Sequence, residues 1–502
     1  MLRRIVCVSV PVLLIAMSGL IHAQAPSAVG WPAPGISAQH AVPYYGQGTG
    51  QNVGAGYYGQ GYMSGPAQVA PAGYRYQNGP PPSVSPSDLA ASQGVYSPLP
   101  SNQPMLARPI QRSPYQQFFF RGWLNGGITG NPDDPDDHWN RPLAFNDRSN
   151  EFQMNQLYLT MGRAVRQDDS WDIGGRVDFL YGTDYRYTQA LGLETHRTSL
   201  ADNHWNSDDG PYPSGQGLYG LAMPQAYAEL RMPFGTGLSV KAGHFYSIMG
   251  YESVMAPNNF FYSRSYVTTY GEPMTHTGLL CSSELRPGLT AHLGFTRGWD
   301  TWDSYVGNDS LSVLGGVQWI SPSQQTSAAF TFHTGDEPIL AAGFGGGFSD
   351  FTNSTSYSMV LTHYLTPHLQ YVFQHDLGVH KDAAYDLVAA TREDAIWYGI
   401  NQYFILHMSD KLSFAVRAEW FRDENNWRVL RRPSITDLDG DDYCDVTVGF
   451  NWRPSDRLMI RPEARWDWSG VEGVGFPAFE GMYNGKTEKS QFTFAVDATL
   501  FY

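Results

Sequence analysis

Gln491-Phe492-Thr493-Phe494-Ala495-Val496-Asp497-Ala498-Thr499-Leu500-Phe501-Tyr502 is the stretch on which the reading of the fold turns. Side chains alternate sides along a strand, so Phe492, Phe494, Val496, Ala498, Leu500 and Tyr502 share one face. The other face carries Gln491, Thr493, Ala495, Asp497 and Thr499, and only Phe501 interrupts its small or polar character. A tilted strand of about ten residues, apolar on one side only, crosses a bilayer in a closed barrel. Taken alone, the same pattern suits a half-buried strand of a soluble sandwich, so recurrence has to decide.

The pattern does recur. Leu458, Ile460, Pro462, Ala464, Trp466 and Trp468 alternate with Met459, Arg461, Glu463, Arg465 and Asp467, and Leu412 to Trp420 repeats the scheme. In 171–182, Ile173, Val177, Phe179 and Tyr181 oppose Asp172, Arg176 and Asp178. Sixteen such segments are legible: 117–126, 152–164, 171–182, 222–231, 237–246, 276–285, 289–298, 310–320, 325–334, 354–365, 368–379, 395–407, 411–422, 442–453, 457–468 and 491–502. Their connections alternate strictly between short and long. The short ones hold turn residues, as in Pro233-Phe234-Gly235, Arg286-Pro287-Gly288 and Met408-Ser409-Asp410, whereas 183–221, 247–275 and 470–490 are long. A soluble sandwich has no reason to sort its loops this way. The sequence therefore predicts an all-β chain: a transmembrane antiparallel up-and-down β-barrel of about 16 strands over 117–502, with short periplasmic turns and long outer loops. At that strand number the barrel is wide enough for an aqueous lumen.

Upstream, Met1-Leu2-Arg3-Arg4 and the apolar run from Ile5 to Leu20, followed by Ala23, read as a signal peptide over 1–23. Residues 24–116 are rich in Pro, Gly, Gln and Tyr with scarcely any charge, and are expected to be a disordered spacer. No later stretch is long and apolar enough for a membrane helix, which leaves a closed barrel as the only way across. Aromatic residues make up 14% of the chain and charged ones 16%, a balance that suits a membrane interface. A net charge of -15 argues against nucleic acid as a partner. Cys281 and Cys444 are too few for a disulfide framework, and both are expected to be free thiols.

The third long connection carries Glu252, Arg264 and Glu272 among Tyr251, Tyr262 and Tyr266. Here Gly250-Tyr251-Glu252, Pro257-Asn258-Asn259-Phe260, Ser263-Arg264-Ser265-Tyr266 and Glu272-Pro273-Met274-Thr275-His276-Thr277-Gly278, followed by Gly298-Trp299-Asp300, resemble the β-barrel porin type 2 family of outer membranes. The terminal aromatic, Tyr502, likewise resembles the assembly signal of such barrels. The resemblance implies an outer-membrane channel with lipid around it and small hydrophilic solutes inside, and leaves a homotrimer open. In wide porins the third outer loop folds inward, so Glu252, Arg264, Glu272, Tyr251 and Tyr266 are candidates for a pore constriction, with Arg264 pinned to wall acids such as Glu229 or Asp178.

The candidate lumen wall comprises Arg176, Asp178, Glu229, Lys241, Arg417, Glu419, Arg461, Glu463 and Arg465, read as solvated groups that pair across the ladder. On that reading Val416→Arg disturbs the lipid face while Arg417→Ser folds normally. Asp437-Leu438-Asp439-Gly440-Asp441 has calcium-like spacing, but its Gly is misplaced and no bidentate Glu follows, so no metal site is assigned. The chain shows no nucleophile elbow, no zinc helix and no cofactor fingerprint, so neither an enzyme nor a cofactor is expected. Two alternatives stay open at this point. One is an oligosaccharide channel with Tyr251, Phe260, Phe261 and Tyr266 as a stacking track; the other is a secreted soluble β-rich carbohydrate-binding protein.

Overall fold

The computed structural model describes residues 118–166, 170–195, 205–206, 217–303, 310–340, 348–386, 391–430, 440–470 and 482–502. The expected signal peptide, the spacer and residues 437–439 of the acidic stretch lie outside them. The first eight strands are β1 Phe118–Gly130, β2 Phe152–Arg163, β3 Asp172–Gly182, β4 Gly220–Met232, β5 Leu238–Tyr246, β6 Thr275–Arg286, β7 Leu289–Thr296 and β8 Ser312–Ile320. They continue as β9 Thr326–Leu340, β10 Phe348–Thr366, β11 Leu369–Asp386, β12 Thr391–His407, β13 Leu412–Asp423, β14 Asp441–Ser455, β15 Leu458–Ser469 and β16 Ser490–Phe501. Each pairs antiparallel with its chain neighbours, and β1 closes the ring on β16 from Trp123↔Phe501 to Gly130↔Phe494. All sixteen expected strands are present. Closure leaves no open sheet edge, so every strand finds backbone partners without water.

The closing seam depends on Gly122, because the Tyr502 ring lies across it. A Cβ at that position would meet Tyr502 Cζ at 2.5 Å. The Tyr502 hydroxyl donates to the Tyr158 carbonyl at 3.1 Å, and Tyr502 N–H to the Gly122 carbonyl at 3.0 Å.

Strict alternation of burial along β16 puts Gln491, Thr493, Ala495, Asp497, Thr499 and Phe501 inside and leaves Phe492, Phe494, Val496 and Leu500 outside. β13 and β15 follow the same parity. Around the outer surface Leu230, Leu279, Leu293, Val317, Leu361 and Val448 form an exposed apolar band. Exposed aromatics rim it: Phe118, Phe120, Trp171, Phe234, Trp319 and Trp452 at the turn end, and Phe152, Tyr181, Trp466 and Phe492 at the loop end. A two-sheet soluble protein would bury such rows against each other; here they face outward as a membrane barrel requires. Among the described residues no helix is long and apolar enough to cross a membrane.

β9 to β12 run past their expected outer ends by several residues. The additions place polar residues such as Asp336, Glu337, Thr352, Asn353, Lys381 and Asp394 on both faces, because strand that projects beyond the bilayer has no lipid side to mark it. Cys281 is a free thiol as expected. Cys444 is buried.

Candidate functional site

Polar side chains on alternate positions of one wall converge on a loop carried by the opposite wall. That loop, 247–274, leaves β5, makes a single turn at Ala256–Asn258, forms the short helix α1 Tyr266–Gly271, and returns into β6. Its entry is shaped by Gly250 at φ +81, a backbone few side chains tolerate, where a Cβ would also collide with the Glu272 carboxylate. Ser265 caps α1, its hydroxyl accepting from Thr268 N–H at 3.2 Å.

The loop crosses the interior and is fastened to the far wall by charges (β13, β15). Glu463 accepts from Tyr262 N–H at 2.8 Å and Ser263 N–H at 3.1 Å. Glu419 accepts from Tyr266 N–H at 2.6 Å and Val267 N–H at 2.5 Å. Arg461 donates to the carbonyls of Ala256, Asn259 and Phe261 at 2.8, 2.9 and 2.9 Å, and Arg465 to that of Arg264 at 2.6 Å. Arg417 donates to the Ser263 carbonyl at 3.1 Å while pairing with Glu252 at 3.0 Å and Asp445 at 3.3 Å. A backbone taken out of water must have every N–H and C=O met, and charged partners meet them most strongly. The wall's formal charges are thus matched to the loop's main chain.

Gln156, Tyr403, Trp397 and Gln374 complete the anchorage. Gln156 accepts from Ala256 N–H at 3.0 Å and donates to the Val254 carbonyl at 2.6 Å. The Tyr403 hydroxyl donates to Glu252 at 2.7 Å, Trp397 to the Gly271 carbonyl at 3.1 Å, and Gln374 to Glu272 at 2.7 Å. None of the four was singled out from the sequence. Their one signal, a polar or aromatic residue on the inward row, is shared with dozens of neighbours.

Glu252, Arg264, Glu272, Tyr251 and Tyr266 are all buried inside the barrel. Arg264 does not reach Glu229 or Asp178, which corrects the expected pairing. It donates instead to its own loop, to the carbonyls of Ser253 at 2.9 Å and Tyr262 at 2.7 Å, and lies 4.7 Å from the Phe145 ring centroid. Asp178 is taken by Arg176 at 2.7 Å and Glu229 by the Ser239 hydroxyl. Burial raises the Glu252 carboxyl, but Arg417 and Arg264 outweigh it and hold the group below the ordinary glutamate range. Burial, then the facing Asp376 carboxylate, pushes Glu272 well above that range.

The wall residues also need correcting. Arg176, Asp178, Glu229, Lys241, Arg417, Glu419, Arg461, Glu463 and Arg465 do face inward, but all are buried rather than solvated. Ladder pairing is seen at Arg461 and Asp497, which stand directly opposite and form an ion pair. Five of the nine hold the loop. The remaining four sit on β3 to β5, where Arg176 touches Met255 Sδ at 3.8 Å and Lys241 stacks 4.8 Å from the Tyr227 centroid. Among the described residues no group of three potential metal ligands converges.

An even-stranded closed barrel with an apolar outer band, aromatic rims, tight turns at one end and a long loop folded inside is the architecture of an outer-membrane porin. The family described as "Putative beta-barrel porin-2, OmpL-like" matches residues 117–501, and the chain belongs to it. Its location is the outer membrane, and family and fold together indicate a channel rather than an enzyme. No curated protein matches the chain. Similar solved structures include the outer membrane channel DcaP of Acinetobacter baumannii, at 9% identity and TM-score 0.47, covering 77% of this chain and 97% of that one. An anion-selective porin from Comamonas acidovorans matches at 9% identity and TM-score 0.45 over 77% and 99% of the two chains. Salmonella typhi OmpF in complex with daunomycin matches at 11% and 0.46 over 77% and 97%. Likeness at this level leaves the solute open.

Proposed function

We propose that the barrel passes small hydrophilic solutes by passive diffusion through a water path that the 247–274 loop narrows. The observation that carries this reading is a row of inward polar atoms below the loop that have no hydrogen-bond partner among the described residues. Ser327 Oγ on β9, Thr362 Oγ1 on β10, both amide atoms of Gln370 on β11 and His407 Nε2 on β12 are all unpartnered. These residues are as buried as the arginines and glutamates that hold the loop, and interior polar groups are almost always hydrogen-bonded, so the row is where water entering the lumen would be needed to satisfy them. On the opposite wall the loop occupies the interior, which makes the loop the element that limits size.

The stacking-track alternative finds less support. Tyr251 and Phe261 are buried against Tyr403, with centroids 5.0 and 6.2 Å away, and Tyr266 against Tyr443 at 5.8 Å. Of the four rings only Phe260 keeps partial exposure. Rings used to pack the loop leave no free face for a sugar.

Liposome swelling with sugars of graded size tests the proposal. Swelling that falls off with sugar size supports it, and liposomes that swell with none of the sugars contradict it. Arg264→Ala, which removes donors to four carbonyls of the loop, is expected to enlarge the single-channel step. Chemical cross-linking of the folded protein reads out whether a homotrimer forms.

A further inference from the structure

A cavity of ≈ 280 Å³ opens at the turn end of the barrel, between the turns that join β12 to β13 and β14 to β15. Arg453 lines it, together with Lys411, Asp410, Asp456 and Phe501. The Arg453 side chain is 7% exposed, and its Nε and Nη1 have no hydrogen-bond partner among the described residues. No ion pair joins it to Asp410 or Asp456, although both border the same space. Every arginine that holds the loop from β13 or β15 has a carboxylate within 3.3 Å: Arg417 with Glu252, Arg461 with Asp497, Arg465 with Asp467. Arg453 has none. Its backbone is fixed by an N–H donated to the Lys411 carbonyl at 2.7 Å, and the Lys411 ammonium is held beside the cavity by the Pro454 carbonyl at 3.0 Å. Arg231 on β4 also has an unpartnered Nε and Nη1, but it spends its remaining nitrogen on the Thr236 carbonyl at 3.2 Å.

A desolvated guanidinium without a counterion is costly, and its planar fork matches an oxyanion. We infer that the Arg453 cavity is an anion-binding site at the periplasmic mouth, built to take a carboxylate or phosphate group, with Arg453 as the fork and Lys411 as a second positive charge. The inference builds on the channel reading, since it names a solute class for one end of the path, but the binding itself does not require conduction. The same chemistry could be presented by a passing solute or by a phospholipid headgroup of the inner leaflet.

Calorimetric titration of the detergent-solubilised full chain with inorganic phosphate is the test. The wild type should bind saturably, and R453Q should bind at least about tenfold more weakly, roughly the loss expected for one charge-assisted contact. Equal affinity in the two proteins overturns the site. Should R453Q fail to show the heat-shifted gel mobility of a folded barrel, R453K decides instead: keeping the charge but losing the fork must weaken binding, and unchanged affinity overturns the assignment. Repeating the titration in nanodiscs with and without phosphatidylglycerol separates the sources. Competition by the lipid assigns the site to a headgroup, and its absence to a solute. A wild type that binds phosphate through Arg453 but carries no current would sink the channel reading alone. A conducting wild type whose phosphate affinity ignores Arg453 would sink the site alone.

Discussion

The two walls of the lumen are built from the same alternating rows yet use their inward residues differently. On β13 and β15 they include Arg417, Glu419, Arg461, Glu463 and Arg465, each of which meets a main-chain group of the loop. On β9 to β12 the inward positions toward the turn end hold His, Ser, Thr and Gln, and several of their atoms have no partner among the described residues. The difference follows from what each wall has to solve. A wall that receives a folded-in segment needs strong donors and acceptors at fixed places, whereas a wetted wall needs only groups that water can satisfy.

The comparison breaks most visibly at Arg417. Arg417→Ala takes the guanidinium from buried Glu252 and leaves Asp445 with Arg465 as its remaining cation, a loss of about 3 to 5 kcal/mol for one partner of a buried pair. Because the damage falls on the loop, protease sensitivity at 247–274 and single-channel conductance should both rise while the barrel stays folded. For Arg417→Ser, expected from the sequence to fold normally, the same contacts predict a folded barrel with a loosened loop. One residue earlier, Val416 faces lipid, and Val416→Arg should cost about 2 to 4 kcal/mol in denaturant-driven unfolding from vesicles. In that variant the loop should be no more protease-sensitive than in the wild type.

A smaller effect separates the outer loops from the lumen by pH. Burial pushes Asp184 and Asp300 from 3.8, and Glu194 from 4.5, up to about 7. These folded values exceed the unfolded ones, so the contribution to loop stability is full below the unfolded pKa and is lost as pH rises through about 7. Hydrogen exchange at 183–195 and 297–303, corrected for intrinsic rate, should therefore speed up between about pH 5 and 8. Smallest of all, Gln370→Ala on the unpartnered row should cost no more than about 1 kcal/mol, since no protein hydrogen bond is lost. Its single-channel conductance should nonetheless change; a large loss of stability there would mean that the row is not wetted.

The barrel was legible because two independent signals agreed, the inward and outward rows and the alternation of tight and long connections. Both come from the bilayer, which acts on every strand alike. The projecting ends of β9 to β12 escaped notice because there the bilayer no longer acts. The site was legible only as a set of candidates. That Glu463 and Glu419 are inward carboxylates follows from parity, but that they accept loop amides follows from the path of 247–274, which no local pattern encodes. Arg264 shows the limit clearly, since a cation between two serines reads as a partner for wall acids and proves to bind its own loop's carbonyls.

The most direct measurement is the single-channel conductance of a protein in which Glu419 and Glu463, the two carboxylates that accept the loop's amides, are both replaced by Ala. With the barrel still heat-modifiable, the loop should leave the far wall, giving a larger unitary step and admitting larger sugars than the wild type. A unitary step and size limit identical to the wild type would contradict the claim that this wall holds the loop across the path.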